Sequence, residues 1–346
     1  MSAEDGEEAT ATPAVPAPLP WHAAAAAELL AQRDRLPHAM LIAGRAGIGK
    51  RRLANWLART LLCESSEARR GPCGVCPSCR YAAAAQHPDL RVLEPIETVD
   101  DEPKAVEWIV VERIRALAQW ASLTSHRRGA KVAIIDPAER MNAPAANALL
   151  KTLEEPPTNT FFVLVTHQVG RLPATIVSRC QRIAARLPTR AEGEAWLEAQ
   201  GMRDAAPMLA QANGAPLAAL ALAAADHQAE RRIWMTALSS PQSLAVTALG
   251  ARIDVGAKDA RRARLAAVVD WLIAWASDLA RMRAGGTVGH NPDFAAQLAT
   301  LAQSVAALPL FRYHRTLLEQ RMLLAHPLQP RLVAEALLID YRALFA

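Results

Sequence analysis

The chain has 346 residues, of which 51% are hydrophobic, enough for two or three domains with a core each. The longest apolar runs, such as WLIAWASDLA, are short and amphipathic, well under the roughly 20 unbroken apolar residues of a membrane span, which excludes a helical integral membrane protein. Formal net charge is +5, and because the first twenty residues hold four acids and no Lys or Arg, the remainder carries +9; that excess suits contact with nucleic acid along one face and equally suits an Arg-rich solvated surface.

Residues 1–20, MSAEDGEEATATPAVPAPLP, combine acids, Pro and Ala without a basic n-region or an apolar h-region. A disordered tail is expected there, with no secretory signal and a cytoplasmic location. A helix is expected from Trp21, ending at Pro37. HAMLIAG then reads as a short buried strand, GRAGIGK as a loop, and RRLANWLARTLLC as a helix with Leu53, Trp56, Leu57 and Thr60 on one face. A Cys-rich insertion follows over 63–79, then DLRVLEP as a strand, DDEP as an exposed turn and VERIRALAQWASL as an amphipathic helix. KVAIID is a second buried strand, AANALLKTLEE a helix stopped by Pro156 and Pro157, and TFFVLVT a third strand. Continuous apolar strands alternating with helices predict a parallel sheet covered on both faces. From about residue 188 Ala and Leu dominate and no strand is expected. The chain therefore reads as an α/β domain over 21–187 followed by helical regions, which we divide at 188–225 and 226–346.

GRAGIGK has the makings of a phosphate-binding loop: Gly44, Gly47 and Gly49 permit a turn whose backbone N–H groups face inward at a helix N-terminus, and Lys50 can reach terminal phosphates. The pattern requires a hydroxyl after the lysine to hold Mg²⁺, and Arg51 supplies a cation instead. A second departure lies at the end of KVAIID. Asp136 occupies the place of the metal-associated carboxylate, but the following residue, where such ATPases carry the glutamate that activates water, is Pro137. Glu139 lies two residues further on and could in principle substitute, though it is expected to point elsewhere on the following turn. Hydrolysis of ATP by this chain is not expected, and whether ATP binds is left open.

Cys63, Cys73, Cys76 and Cys79 are spaced C-x9-C-x2-C-x2-C. Four thiolates close the tetrahedral shell of Zn²⁺, x2 spacings let successive ligands turn around one ion, and a closed shell means a structural site. Five cysteines in a cytosolic chain argue for metal over disulfides. His87, in QHPDL, reads as a turn residue.

Taken together, KVAIID, NALLKTLEEPP, FVLVTHQVGRLPATIVSRCQR, the four-cysteine insertion and the C-terminal HPLQPRLVAEALLIDY resemble the clamp-loader subunits of bacterial DNA polymerase III, with the broken loop most similar to the delta-prime branch. The resemblance runs from about Trp21 to the end and is strongest over Lys131 to Arg182. It implies an AAA+ module with a zinc-binding insertion, a helical lid, and an all-α collar through which five subunits form an open ring. It further implies a subunit that is not an enzyme alone, whose partners are gamma/tau and delta subunits, the sliding clamp and primer-template DNA. In such rings an arginine from one subunit reaches the γ-phosphate held by its neighbour; the resemblance places that role on Arg179, flanked by Ser178 and Cys180. Thr166 matches the γ-phosphate-sensing position of active relatives, and QANGAPLAAL shows Gly214 and Pro216 with no arginine for ATP. Two other readings remain open from the residues: a gamma/tau-type ATPase that tolerates Arg51, and a zinc-dependent nucleic-acid-binding protein unrelated to ring ATPases.

Overall fold

The computed structural model describes residues 17–65, 68, 70–99, 102–127, 129–324 and 329–346. The chain divides into two compact units, Met1–Pro188 and Thr189–Ala346. In the first, β1 (Ala39–Ala43), β2 (Leu90–Leu93), β5 (Lys131–Ile135), β6 (Thr160–Thr166) and β7 (Gln181–Ala184) form a five-stranded sheet in the order β2-β5-β6-β1-β7. Every pairing in it is parallel. A second, two-stranded sheet is the antiparallel pair β3 (Ile96–Val99) and β4 (Glu102–Ala105).

Alternation along the strands sorts the core into two faces. Ala39 and Leu41 of β1, Ala133 and Ile135 of β5, and Phe162 and Leu164 of β6 point to the face covered by α4 (Val111–Ser122) and α5 (Ala143–Glu154), where Ile114, Leu117, Leu149 and Leu153 meet them. α2 (Lys50–Leu62) packs against β5 and β6 through an apolar stripe that includes the buried Leu53, Ala54 and Leu57. Burial on both faces is why these strands are unbroken apolar runs. Lys131 caps the C-terminal end of α4: its ammonium donates to the carbonyls of Trp120 and Leu123 and sits 4.4 Å from the Trp120 ring centroid. Asn142 caps the start of α5, its Oδ1 accepting from Ala145 N at 2.9 Å.

The α/β class read from the sequence is the one observed, a parallel sheet flanked by helices and followed by a helical unit. Several details differ. Of the expected tail, residues 1–16 lie outside the described residues, whereas Leu19 is buried and Ala17 O accepts from Arg52 Nε, so ordered packing begins before Trp21. Within the expected turn DDEP, Asp100 and Asp101 lie outside the described residues, and Glu102 opens β4. β7 went unread because QRIA has one apolar residue facing inward and otherwise the polar character of an edge strand.

Among the described residues, the second unit shows two apolar clusters. α7 (Arg190–Ala199), α8 (Ala205–Gln211) and α9 (Pro216–Leu222) bury Leu197, Ala205, Leu209 and Ala219 together. Thr189 and Glu192 form a reciprocal capping box at the start of α7. The larger cluster is built by α10 (Ala225–Leu238), α11 (Val246–Ile253), α12 (Lys258–Arg283), α13 (Ala295–Ser304), α14 (Ala307–Leu323) and α15 (Pro330–Ala343). α12 is its axis, packed by α13, α14 and α15. PLAALALAAADHQAERRIWMTAL, an unbroken Ala-rich stretch of sequence, is two helices, α9 and α10.

Two buried polar networks cross this unit. Asp278 of α12 accepts from the backbone N–H groups of Gly289, His290 and Asn291, and the Asn291 side chain in turn receives Arg231, which also pairs with Asp293. The Tyr341 hydroxyl donates to Leu238 O at 2.7 Å and accepts from Trp275 Nε1 at 2.9 Å. Tyr341→Phe strands both partners in a dry core and is expected to destabilise the protein by about 1–3 kcal/mol, read as a lower urea midpoint by circular dichroism.

Candidate functional site

The Gly-rich loop joins β1 to α2, with Gly47 and Gly49 both in the left-handed region at φ 75° and 88°. Gly44 has no room for a side chain, since a Cβ would lie 2.5 Å from Ala185 O beside β7. Trp21 clamps the loop from outside, donating from Nε1 to Ile48 O at 2.8 Å. Lys50 opens α2 and is only 2% exposed; its ammonium donates to Arg45 O at 2.5 Å, within the loop itself. Burial holds its pKa down to about 8, against the pull of Asp136 and Glu139. Burial, with Arg186 and Lys50 nearby, likewise holds the buried His22 at about 4, so that ring is neutral.

Arg51 turns toward the sheet. It makes a two-pronged pair with Glu94, Nη2 to Oε2 at 2.7 Å and Nη1 to Oε1, and its Nε lies 3.9 Å from Asp136 Oδ2. The sheet explains this convergence. β2 pairs with β5 in the register Leu93↔Ile135, so the next residues, Glu94 and Asp136, leave the two strand ends side by side. Two adjacent carboxylates need a cation between them, and here the guanidinium is that cation. Burial raises the Asp136 pKa and the Arg51 charge opposes the rise.

Glu139 Oε1 accepts from His167 N at 2.9 Å, just beyond β6, and its charge is felt by Lys50. Thr166 is fully buried at the end of β6, with Oγ1 accepting from Gln168 N at 3.2 Å.

Ser178, Arg179 and Cys180 follow the short helix α6 (Ala174–Val177). Arg179 reaches the surface, its side chain 35% exposed, with Nη2 2.5 Å from Glu154 Oε1 and Nη1 donating to Thr175 O at 3.0 Å. Ser178 is exposed and its hydroxyl donates to the same carbonyl at 3.0 Å. Cys180 instead packs into the core under α5, and burial pushes its thiol up to about 11. It fixes the turn from below and is remote in character from any surface chemistry.

The four remaining cysteines come together. All four Sγ atoms lie within 4.8 Å of one another, with Cys63–Cys76 and Cys73–Cys79 each 3.9 Å apart; a tetrahedron of bonds of about 2.3 Å has edges of about 3.8 Å. Backbone N–H groups of Cys73, Cys76 and Cys79 each point at the preceding cysteine's sulfur at 3.4 Å. Burial and the neighbouring Cys63 push the Cys79 thiol up, because four thiolates this close are not all charged without a cation among them. The cluster's donor set thus fits a metal ion. α3 (Pro77–Ala83) carries the last ligand. Beneath it His87 opens the turn expected there, its O accepting from Leu90 N at 3.1 Å, and its buried ring is also a hub. Its Nδ1 accepts from Asp89 N, so the neutral ring donates from Nε2 to Ser78 Oγ, and Ser78 donates to Glu64.

Residues 23–188 match the family described as DNA polymerase III, delta subunit. Subunit delta' of DNA polymerase III from Pseudomonas aeruginosa is 42% identical over 205 residues, 58% of this chain and 60% of that protein. The chain is similar to delta' subunits over this stretch. The delta' subunit of Escherichia coli K12 is 35% identical over 213 residues, 60% of this chain and 61% of that protein. Subunit tau of the same organism is 37% identical over 146 residues, 42% of this chain and 21% of tau. The chain spans about 60% of the length of the delta' relatives it matches.

The partners of Arg51 and Arg179, Glu94 and Glu154, are not assigned from the sequence. Glu94 had a signal: it is the first residue after one apolar strand, as Asp136 is after another, and only the strand order makes those ends adjacent. Glu154 was visible within LEEPP but had no assignable partner until α5 and α6 were seen packed together.

Proposed function

We propose that this chain is a clamp-loader subunit that does not hydrolyse ATP itself, carries a structural zinc ion, and offers Arg179 to nucleotide held by a neighbouring gamma/tau-type subunit while the ring loads a sliding clamp on primer-template DNA. The observation that carries the first part is the Arg51 guanidinium lodged between Glu94 and Asp136. The carboxylates that would approach a magnesium ion are already neutralised, so the site does not fit that metal. Pro137 supplies no base, and Lys50 is engaged with its own loop.

Arg179 supports the second part. It stands at the surface on a turn anchored by Ile176 and Cys180, and its guanidinium has the planar donor geometry that phosphate accepts. At the cysteine cluster, Cys63, Cys73, Cys76 and Cys79 would hold zinc with no open position, contributing stability and no chemistry.

The competing gamma/tau-type reading draws on the tau match and the presence of Lys50. Turnover by the purified chain decides between them: the isolated protein is expected to show no magnesium-dependent ATP hydrolysis above background. Arg51→Thr alone is expected to stay inactive, since Pro137 remains. Hydrolysis by either protein, proportional to its concentration and lost on Lys50→Ala, overturns the reading.

A further inference from the structure

We propose that Glu154 is a latch that holds Arg179 against its own chain until a phosphate competes for the guanidinium. The inference rests on Arg179 acting in trans. Both ends of the contact are fixed from below: Leu153 precedes Glu154 at the end of α5, and Ile176 and Cys180 bracket Arg179, all three packed in one core. The backbone has little freedom there, so the side chains are what can move.

The guanidinium is held at two points. Nη2 is 2.5 Å from Glu154 Oε1, and Nη1 donates to Thr175 O at 3.0 Å. To dock on a neighbour's nucleotide, Arg179 must surrender the carboxylate. Both partners are partly exposed, at 35% and 48% of their side-chain surface, so water and salt screen the pair and keep it weak. A phosphate group carries more negative charge and, inside a subunit interface, less screening. The exchange therefore runs toward phosphate once the interface closes and back to Glu154 when it opens. Glu154 is a positioning residue, setting how much of the Arg179 population is available before closure.

Glu154→Gln keeps the shape and removes the charge. In a ring reconstituted with its ATPase subunits, with assembly checked by size exclusion, this variant is expected to raise ATP hydrolysis without DNA by about two- to fivefold, the range an exposed pair spans. The rise is expected in kcat, with the DNA-stimulated plateau unchanged, so the stimulation ratio falls. Glu154→Asp, which keeps the charge, stays closer to wild type, and in an Arg179→Ala background Glu154→Gln has no effect. A basal rate equal to wild type, a loss of both rates together, or an effect that persists without Arg179 overturns the latch. If Arg179→Ala is itself without effect, the trans reading fails; if Arg179→Ala is inactive and Glu154→Gln is flat, only the latch fails.

Discussion

Arg179→Ala is expected to lower DNA-stimulated ATP hydrolysis by the assembled ring by about 10³- to 10⁵-fold, the range that an arginine acting in trans contributes, while leaving assembly intact. At about 1.36 kcal/mol per factor of ten this is roughly 4–7 kcal/mol of transition-state stabilisation. The size follows from placement: a guanidinium opposite charge that develops only in the transition state acts where water has been excluded. The stability cost should be small, since the substitution breaks an exposed ion pair with Glu154 and one bond to Thr175 O, and Ile176 and Cys180 still pin the turn. Arg179→Lys tests the geometry, because it keeps the charge but loses the planar fork. It should recover only part of the rate. Measured at saturating ATP, unchanged turnover for Arg179→Ala would rule out the role, whatever the ring's stability.

What could be read from the sequence divides along physical lines. KVAIID and TFFVLVT announce strands because each is buried on both faces. QRIA does not, because an edge strand need satisfy only one side. The departures at Arg51 and Pro137 were legible as local substitutions in a known pattern. The pairing of Arg51 with Glu94 and Asp136 was not, because it depends on β2 and β5 ending in register, a fact of pairing between segments about forty residues apart. Cys180 shows the converse. Adjacent to Arg179 in sequence, it shares no surface with it, since side chains on neighbouring residues of a turn part to opposite sides, one into the core and one outward.

The cysteine module should depend on its ion far more than the sheet does. Its interior consists of Cys63, Ala68 and Cys79 with Cys73 and Cys76 packed beside them, too little apolar surface to offset the ordering of the segment. α3 has seven residues, fewer than an isolated helix needs in water. Four thiolates around one zinc would supply what is missing, with apparent binding free energies of about 10–16 kcal/mol for comparable sites. Freshly purified, reduced protein is expected to hold one zinc per chain. A strong chelator, or Cys76→Ser, is expected to open residues 64–86 to protease while the sheet keeps its circular dichroism, since the strands and α5 belong to a separate core. Because the ligands are thiolates, acid should release the ion as protons compete for sulfur. The His87, Ser78 and Glu64 chain, joined by Arg127 Nε at 2.7 Å from Glu64 Oε1, ties the module to β2 but lies outside the ligand set, so it cannot hold the cysteines together once the ion has gone. Metal content near zero, or a module that stays protected after chelation, would show that the cluster is a group of reduced thiols and that the insertion folds by other means.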